Sequence, residues 1–114
     1  MSAAESVLAR LMETIAARRA KMPEGSYTTR LFQGGVEKIG AKVMEEAAEV
    51  VEAAGEPGEP GRQHLVREAA DLLYHLGVML AQREVTLTEV EAELARREGT
   101  SGLVEKASRT RTEP

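Results

Sequence analysis

Apolar residues recur along most of this chain at the three- and four-residue spacing of amphipathic helices, beside polar faces that suit solvent. Aromatic residues make up only 3% of the composition and tryptophan is absent, so a core must be built mainly from Leu, Val, Ile, Ala and Met. Together these features predict an all-α fold, a bundle of four to five helices. The main helices are expected at residues 3–21, 36–54, 63–83 and 86–98.

Glycine and proline mark the helix boundaries in the first half of the chain. Pro23 should end the first helix near Met22, because a helix rarely continues through the residue before proline. Gly34 and Gly35 should separate a short helical turn at 26–33 from the second helix.

The second half has its own boundary signals. The segment GEPGEPG at 55–61 is typical of a flexible connector. Thr86 and Glu89 have the spacing of a capping box, which should open the fourth helix. Beyond that helix, Leu103 and Val104 could anchor a docked turn or short helix.

The third predicted helix is apolar on most sides. Gly77, Val78 and Ala81 occupy directions that a surface helix of a monomer would fill with charge. Such a helix is either central in the fold or part of a subunit interface, so we expect the chain to oligomerise.

Helical geometry singles out two glutamates of the second helix. At about 100° per residue, Glu46 lies next to the apolar stripe and Glu49 a little further round, whereas Glu45 and Glu52 point toward solvent. The stripe itself consists of Ile39, Val43, Ala47, Val50 and Ala54.

The third helix carries a second pair at the same spacing, Glu68 and Asp71. Asp71 is the only formal charge from 69 through 82, and an isolated carboxylate in so apolar a helix needs compensation. Four carboxylates on two packed helices would repel one another without a cation, and oxygen ligands suit Mg²⁺, with Mn²⁺ as an alternative. The expected metal ligands are Glu46, Glu49, Glu68 and Asp71.

Two lysines share the carboxylate side of the second helix. Lys38 and Lys42 lie one turn apart, and solvated side chains and contacts to phosphate oxygens are both open. His75 could be a ligand, but a hydrogen-bonded histidine in a core or interface is favoured.

Two aromatic residues precede the second helix, and their role has two readings. Tyr27 and Phe32 are expected to fill core, because aromatics dominate burial. The alternative places Tyr27, Thr28 and Arg30 near a ligand.

Charge and composition limit the classes of function. The net charge of −4 comes from 15 basic and 19 acidic residues, so the acidic excess equals the four expected ligands. No basic stripe with interleaved aromatics occurs, which argues against nucleic-acid binding. Cysteine is absent, so disulfides and cysteine-ligated zinc are excluded and the cytoplasm is favoured. No segment has the length and apolarity expected of a membrane span.

Four segments from about Leu8 to Arg109 closely resemble the phosphoribosyl-ATP pyrophosphohydrolase family, which belongs to the wider all-α nucleoside triphosphate pyrophosphohydrolases. They are SYTTRLF, KVMEEAAEVVEAA, EAADLLYHLGVML and VEAELARREGTSGLVEKASR. Gly77 departs from the family, in which a larger apolar residue is more typical. The signature EExxE…ExxD of the wider group falls on Glu45, Glu46, Glu49, Glu68 and Asp71.

The resemblance implies hydrolysis of phosphoribosyl-ATP to phosphoribosyl-AMP and pyrophosphate, the second step of histidine biosynthesis, with Mg²⁺ as cofactor. The five signature residues would be catalytic. Glu45 and a hydroxide held by the metal are both candidates for the general base. The substrate would be bound by Lys38, Lys42, Arg30 and Tyr27.

The resemblance also implies a homodimer, or a dimer of dimers, that completes the bundle. Residues 1–109 would form the catalytic domain and 110–114 a disordered tail. Two alternatives stay open, namely a housecleaning pyrophosphohydrolase acting on another nucleoside triphosphate and a non-catalytic, metal-binding or scaffolding helical bundle.

Overall fold

Helices account for the fold. The computed structural model describes residues 6–99 and, beyond them, Lys106 and Arg109. Residues 6–99 form four helices, so the predicted all-α fold is confirmed. The predicted tail at 110–114 and the pair Leu103 and Val104 lie outside the described residues. The helices are α1 (Val7–Lys21), α2 (Tyr27–Ala54), α3 (Gly58–Gln82) and α4 (Leu87–Arg96).

The ends of α1 follow local rules. The Ser6 hydroxyl accepts a hydrogen bond from the backbone N–H of Ala9 at 3.0 Å, which satisfies one of the free donors of the first turn. Met22 adopts a left-handed conformation (φ 50°) and donates its N–H to the Arg18 carbonyl, so the helix ends where it was predicted to end.

A kink at Gly35 divides α2 into two helical segments, 27–34 and 36–54. Gly35 has φ 74° and ψ −169°, a conformation open almost only to glycine. The predicted break is confirmed, but the segment before it is a full helical stretch rather than a short turn. Its Leu31 and Phe32 are buried, so Phe32 fills core as expected.

Helix α3 begins at Gly58, five residues earlier than predicted, so the description of 55–61 as a flexible connector was wrong. Pro60 lies in the first turn, where backbone N–H groups need no helical partner. Gly61 is buried, and a Cβ at this position would clash with the carbonyl oxygen of Glu56. The chain therefore turns tightly between α2 and α3 instead of forming a loose linker.

The core lies where α1 packs across the hairpin of α2 and α3. Gly77 permits this approach, because a Cβ there would lie 2.8 Å from Met12 Sδ and 3.1 Å from Ile15 Cδ1. The absence of a larger side chain at Gly77 thus has a packing reason. The buried apolar residues of this core are Ile15, Leu31, Phe32, Ile39, Val78 and Ala81.

The two sides of α3 differ in burial. Val78 and Ala81 face the core, whereas Leu73 and Leu76 are 47% and 41% exposed. The directions that the sequence suggested for an interface are thus filled by α1 and α2, and leucines predicted to face a core are partly open to solvent.

Helix α4 begins with the predicted capping box. The Thr86 hydroxyl accepts from the Glu89 N–H, and the Glu89 carboxylate accepts from the Thr86 N–H, both at 3.1 Å. The helix ends at Arg96, two residues earlier than predicted. Among the described residues, no helix is both long and apolar enough to cross a membrane.

Two glycine substitutions should have opposite effects on stability. Gly77→Leu should lower the free energy of unfolding by about 1–3 kcal/mol, because the new side chain must displace Met12 and Ile15. Gly40→Ala should raise it by about 1 kcal/mol, since a Cβ there would lie 3.6 Å from Met79 Cε, an ordinary contact. Urea unfolding followed by circular dichroism measures both; stabilisation by Gly77→Leu would contradict the proposed packing role.

Candidate metal centre

Three carboxylates meet where α2 packs on α3. One oxygen each of Glu46, Glu68 and Asp71 lies within 4.8 Å of the others. Glu46 comes from the second segment of α2, while Glu68 and Asp71 come from neighbouring turns of α3. The i, i+3 spacing of the α3 pair puts both side chains on the side of the helix that meets Glu46.

The cluster contains carboxylate oxygens that lack a partner. Glu46 is only 6% exposed, and its Oε2 together with Oε1 of Glu68 is buried without a hydrogen bond. Burying an ionised carboxylate without a partner is costly. Oxygen-only donors with unsatisfied buried lone pairs fit a hard divalent cation, so these residues could hold a metal.

Burial falls on a different residue than the sequence suggested. Asp71, which stood out as an isolated charge in an apolar helix, is exposed, whereas Glu46 is buried. Glu45 and Glu52 point toward solvent as predicted.

Glu49, the fourth predicted ligand, lies against Glu68 and is not one of the group of three. A hydrogen bond with the Glu68 carboxyl is the main cause that raises the pKa of Glu49, and the negative charge of Glu68 adds to it. Two carboxyl groups can share a hydrogen bond only if one of them holds a proton. The predicted set is thus brought together, with crowding of like charge between Glu49 and Glu68.

A cationic side chain borders the cluster on the α2 side. Lys42 Nζ lies 3.5 Å from Glu45 Oε1, and the Tyr27 phenol, followed by the Glu45 carboxylate, raises the pKa of Lys42. Lys38 and Arg30, the other predicted substrate-binding cations, are exposed. The structure therefore groups Tyr27, Lys42 and Glu45 next to the carboxylates.

Tyr27 does not fill core, so the favoured expectation for this residue was wrong. Its side chain is 41% exposed, and its hydroxyl lies 2.8 Å from His75 Nε2. The buried His75 ring also contacts the backbone carbonyl of Asp71 through Nδ1 at 3.0 Å. The prediction that His75 is a buried, hydrogen-bonded residue is confirmed. Burial raises the pKa of Tyr27, and Lys42 partly offsets this effect.

One histidine bridge was missed by sequence reasoning. His64 Nδ1 lies 2.8 Å from Glu56 Oε1, and its Nε2 lies 3.3 Å from Glu68 Oε2. The hydrogen bond to Glu56 raises the pKa of His64. The signal available in the sequence was the spacing of His64 four residues before Glu68, which places both side chains on one face of α3.

Fold and site together define a class of protein: an all-helical bundle with a carboxylate-lined candidate site for a divalent cation between two helices of one hairpin. Comparison with known proteins supplies the particular family. The family model described as phosphoribosyl-ATP pyrophosphohydrolase matches residues 8–98. The chain belongs to this family, so the resemblance seen in the sequence is confirmed.

Individual relatives agree with the family match. A protein of Rhodopirellula baltica named phosphoribosyl-ATP pyrophosphatase is 64% identical over 102 residues, which cover 90% of this chain and 85% of that protein. A protein of the same name from Dinoroseobacter shibae is 57% identical over 104 residues, covering 91% of this chain and 99% of the relative. One from Paracoccus denitrificans is 57% identical over 102 residues, covering 90% and 92%.

Neutralising Glu46 should stabilise the metal-free protein and remove its response to divalent cations. In chelator-treated protein, Glu46→Gln should raise the melting temperature by about 4 °C or more, because the amide relieves charge repulsion and can donate to Glu68. Wild type should gain about 2.7 kcal/mol when the cation reaches 100 times its dissociation constant. Differential scanning calorimetry with MgCl₂ or MnCl₂ measures both effects.

Glu52→Gln is the matched control, since it removes the same charge from an exposed position on α2. It should leave the cation response intact. Equal responses to cations in wild type and Glu46→Gln would count against a metal site at this cluster.

Proposed function

We propose that this protein hydrolyses phosphoribosyl-ATP to phosphoribosyl-AMP and pyrophosphate, the second step of histidine biosynthesis. The observation that carries the proposal is the family match over residues 8–98, which includes every residue of the carboxylate cluster. We place the reaction in the cytoplasm, on the ground of the cysteine-free composition.

The proposed cofactor is Mg²⁺, with Mn²⁺ as an alternative, held by Glu46, Glu68 and Asp71 together with Glu49. Support comes from the unpaired buried oxygens of Glu46 and Glu68 and from a donor set made of oxygen alone. When bound, a divalent cation would neutralise phosphate charge and lower the pKa of bound water. Glu49 lies close enough to Glu68 to complete the set once its proton is lost.

The substrate phosphates are proposed to lie between the cluster and the α2 cations. Lys42 is the best-supported contact, because it borders the cluster and its partner Glu45 is exposed. An ammonium group there would stabilise negative charge as it develops on the leaving pyrophosphate. Lys38, Arg30 and Tyr27 are the further proposed substrate contacts.

Glu45 has a separate proposed role as acceptor of a proton from the attacking water. Its carboxylate is exposed and borders the buried Glu46 in sequence, so it can reach solvent that enters the site. A hydrogen-bonding acceptor within reach of the nucleophile is the basic requirement for this role.

Pyrophosphate release tests the proposed activity. With Mg²⁺ present, phosphoribosyl-ATP should be preferred over ATP, dUTP and dCTP. Glu49→Gln and Asp71→Asn should each lower turnover at least about a hundredfold while the circular dichroism spectrum stays helical, because each removes a charge from the cluster. Near-normal activity in both variants would contradict the assigned ligands.

The same substrate panel separates the alternatives. Preference for a free nucleoside triphosphate would keep the site and favour a housecleaning pyrophosphohydrolase of the wider group. Cation binding without release from any of the four compounds would favour the scaffolding bundle.

We also propose that the protein is a homodimer or a dimer of dimers. Support comes from an apolar strip on the outside of the α2 and α3 hairpin, in which Val66 is 65% and Leu73 47% exposed. Each helix contributes a pair seven residues apart, the spacing of a helix face that packs on a partner. The strip consists of Met44, Val51, Val66 and Leu73.

Leu73→Glu should convert the assembly to monomers, because it places a charge in the proposed apolar interface. Val7→Glu is the matched control, since Val7 is 71% exposed on α1, outside the strip. Light scattering after size exclusion at micromolar concentration measures the mass. A monomeric wild type, or loss of assembly in Val7→Glu alone, would contradict the assigned interface.

A further inference from the structure

The contacts of His75 fix the direction of two hydrogen bonds. A backbone carbonyl can only accept, so Nδ1, 3.0 Å from the Asp71 oxygen, must carry the hydrogen. In the neutral ring Nε2 is then an acceptor, and the Tyr27 hydroxyl, 2.8 Å away, must be the donor. The hydrogen of the Tyr27 hydroxyl is thereby committed to His75.

Aromatic contacts hold the imidazole in this orientation. The rings of Tyr27 and Tyr74 both meet His75 edge to face, with centroid distances of 5.9 Å and 5.1 Å. The Tyr74 hydroxyl is hydrogen-bonded to Thr28 Oγ1, so Tyr74 is itself anchored to α2. His75 is buried, which excludes water as a competing partner.

With its hydrogen directed inward, the Tyr27 oxygen offers its remaining lone pair to a donor. Lys42 is the neighbouring donor, as the strong effect of Tyr27 on the pKa of Lys42 shows. Lys42 is also 3.5 Å from the exposed Glu45. The ammonium group therefore has two acceptors that hold it at the edge of the carboxylate cluster.

We propose that His75 is a positioning residue for the phosphate-binding side of the site. Through Tyr27 it orients the acceptor that holds the Lys42 ammonium, and through the Asp71 carbonyl it ties that acceptor to the helical turn that carries the cluster. The ligand recognised is the pyrophosphate portion of a nucleotide. This inference rests on the proposed function.

Packing alone does not account for the arrangement. A tyrosine with 41% exposure could be replaced by phenylalanine without leaving an unpaired hydroxyl, and a buried histidine must be satisfied at both nitrogens. Here both nitrogens are satisfied by groups that belong to the site, namely Tyr27 and the backbone of Asp71.

Steady-state kinetics with phosphoribosyl-ATP test the relay. Tyr27→Phe and His75→Asn should each raise KM about tenfold, the effect of one hydrogen bond to a charged group, with a much smaller change in kcat. The double variant should be no worse than Tyr27→Phe, because both changes break one chain of contacts. His75→Gln should restore KM, since its Oε1 can replace Nε2 as the acceptor.

Tyr74→Phe is the matched control, because it removes a hydroxyl bonded to Thr28 but leaves the relay intact. Its KM should stay within about twofold of wild type. Additive effects of Tyr27→Phe and His75→Asn, or an equal loss in Tyr74→Phe, would overturn the proposal.

Two measurements do not depend on the reaction. Calorimetric binding of inorganic pyrophosphate with Mg²⁺ should weaken about tenfold in Tyr27→Phe and in His75→Asn and recover in His75→Gln. Nitrogen-15 NMR of wild type should show His75 protonated at Nδ1 and not at Nε2. The Nε2-protonated tautomer would overturn the proposal even if a His75 variant failed to fold.

These readouts separate the relay from the proposed reaction. If wild type fails to hydrolyse phosphoribosyl-ATP but pyrophosphate binding shows the coupled losses, the proposed function fails and the relay stands. If wild type hydrolyses phosphoribosyl-ATP and the losses are uncoupled, the relay alone fails.

Discussion

The contact between α2 and α3 buries negative charge, and the arrangement of the site follows from that constraint. Glu46 is held at 6% exposure beside Glu68 and Asp71, with oxygens that no protein donor satisfies. The neighbours respond as electrostatics requires, since the pKa of Glu49 is raised by Glu68 and His64 bridges Glu68 to Glu56. Helix packing thus stabilises an arrangement that is complete only when positive charge compensates it.

Helix α3 serves two environments because it is apolar on most of its circumference. On one side Gly77 and Val78 meet α1 and α2, and His75 connects Tyr27 to the backbone of Asp71. On the other side Leu73 remains partly exposed. One helix therefore links the core, the carboxylate cluster and the proposed subunit interface, so a change in its rotation would alter all three.

The candidate site was predicted well where helical spacing decides the outcome. The i, i+3 pairs identified Glu46, Glu49, Glu68 and Asp71, and the structure brings them together. Helical spacing could not show that Glu46 rather than Asp71 carries the burial, because burial depends on how far one helix slides and rotates against the other. The contact of His64 with Glu56 depends on the tight turn before α3, which the repeated Gly and Pro residues concealed.

The sequence by itself determined the local features of this protein, because they depend on interactions a few residues apart. These include the helical periodicity, the stop at Met22, the break at Gly35 and the capping box of Thr86. Only the tertiary structure decided which face of α3 points inward, why Gly77 is required and how Tyr27 becomes the partner of His75. The physical reason is that an apolar surface favours burial without specifying its partner, whereas close packing and directional hydrogen bonds admit few arrangements.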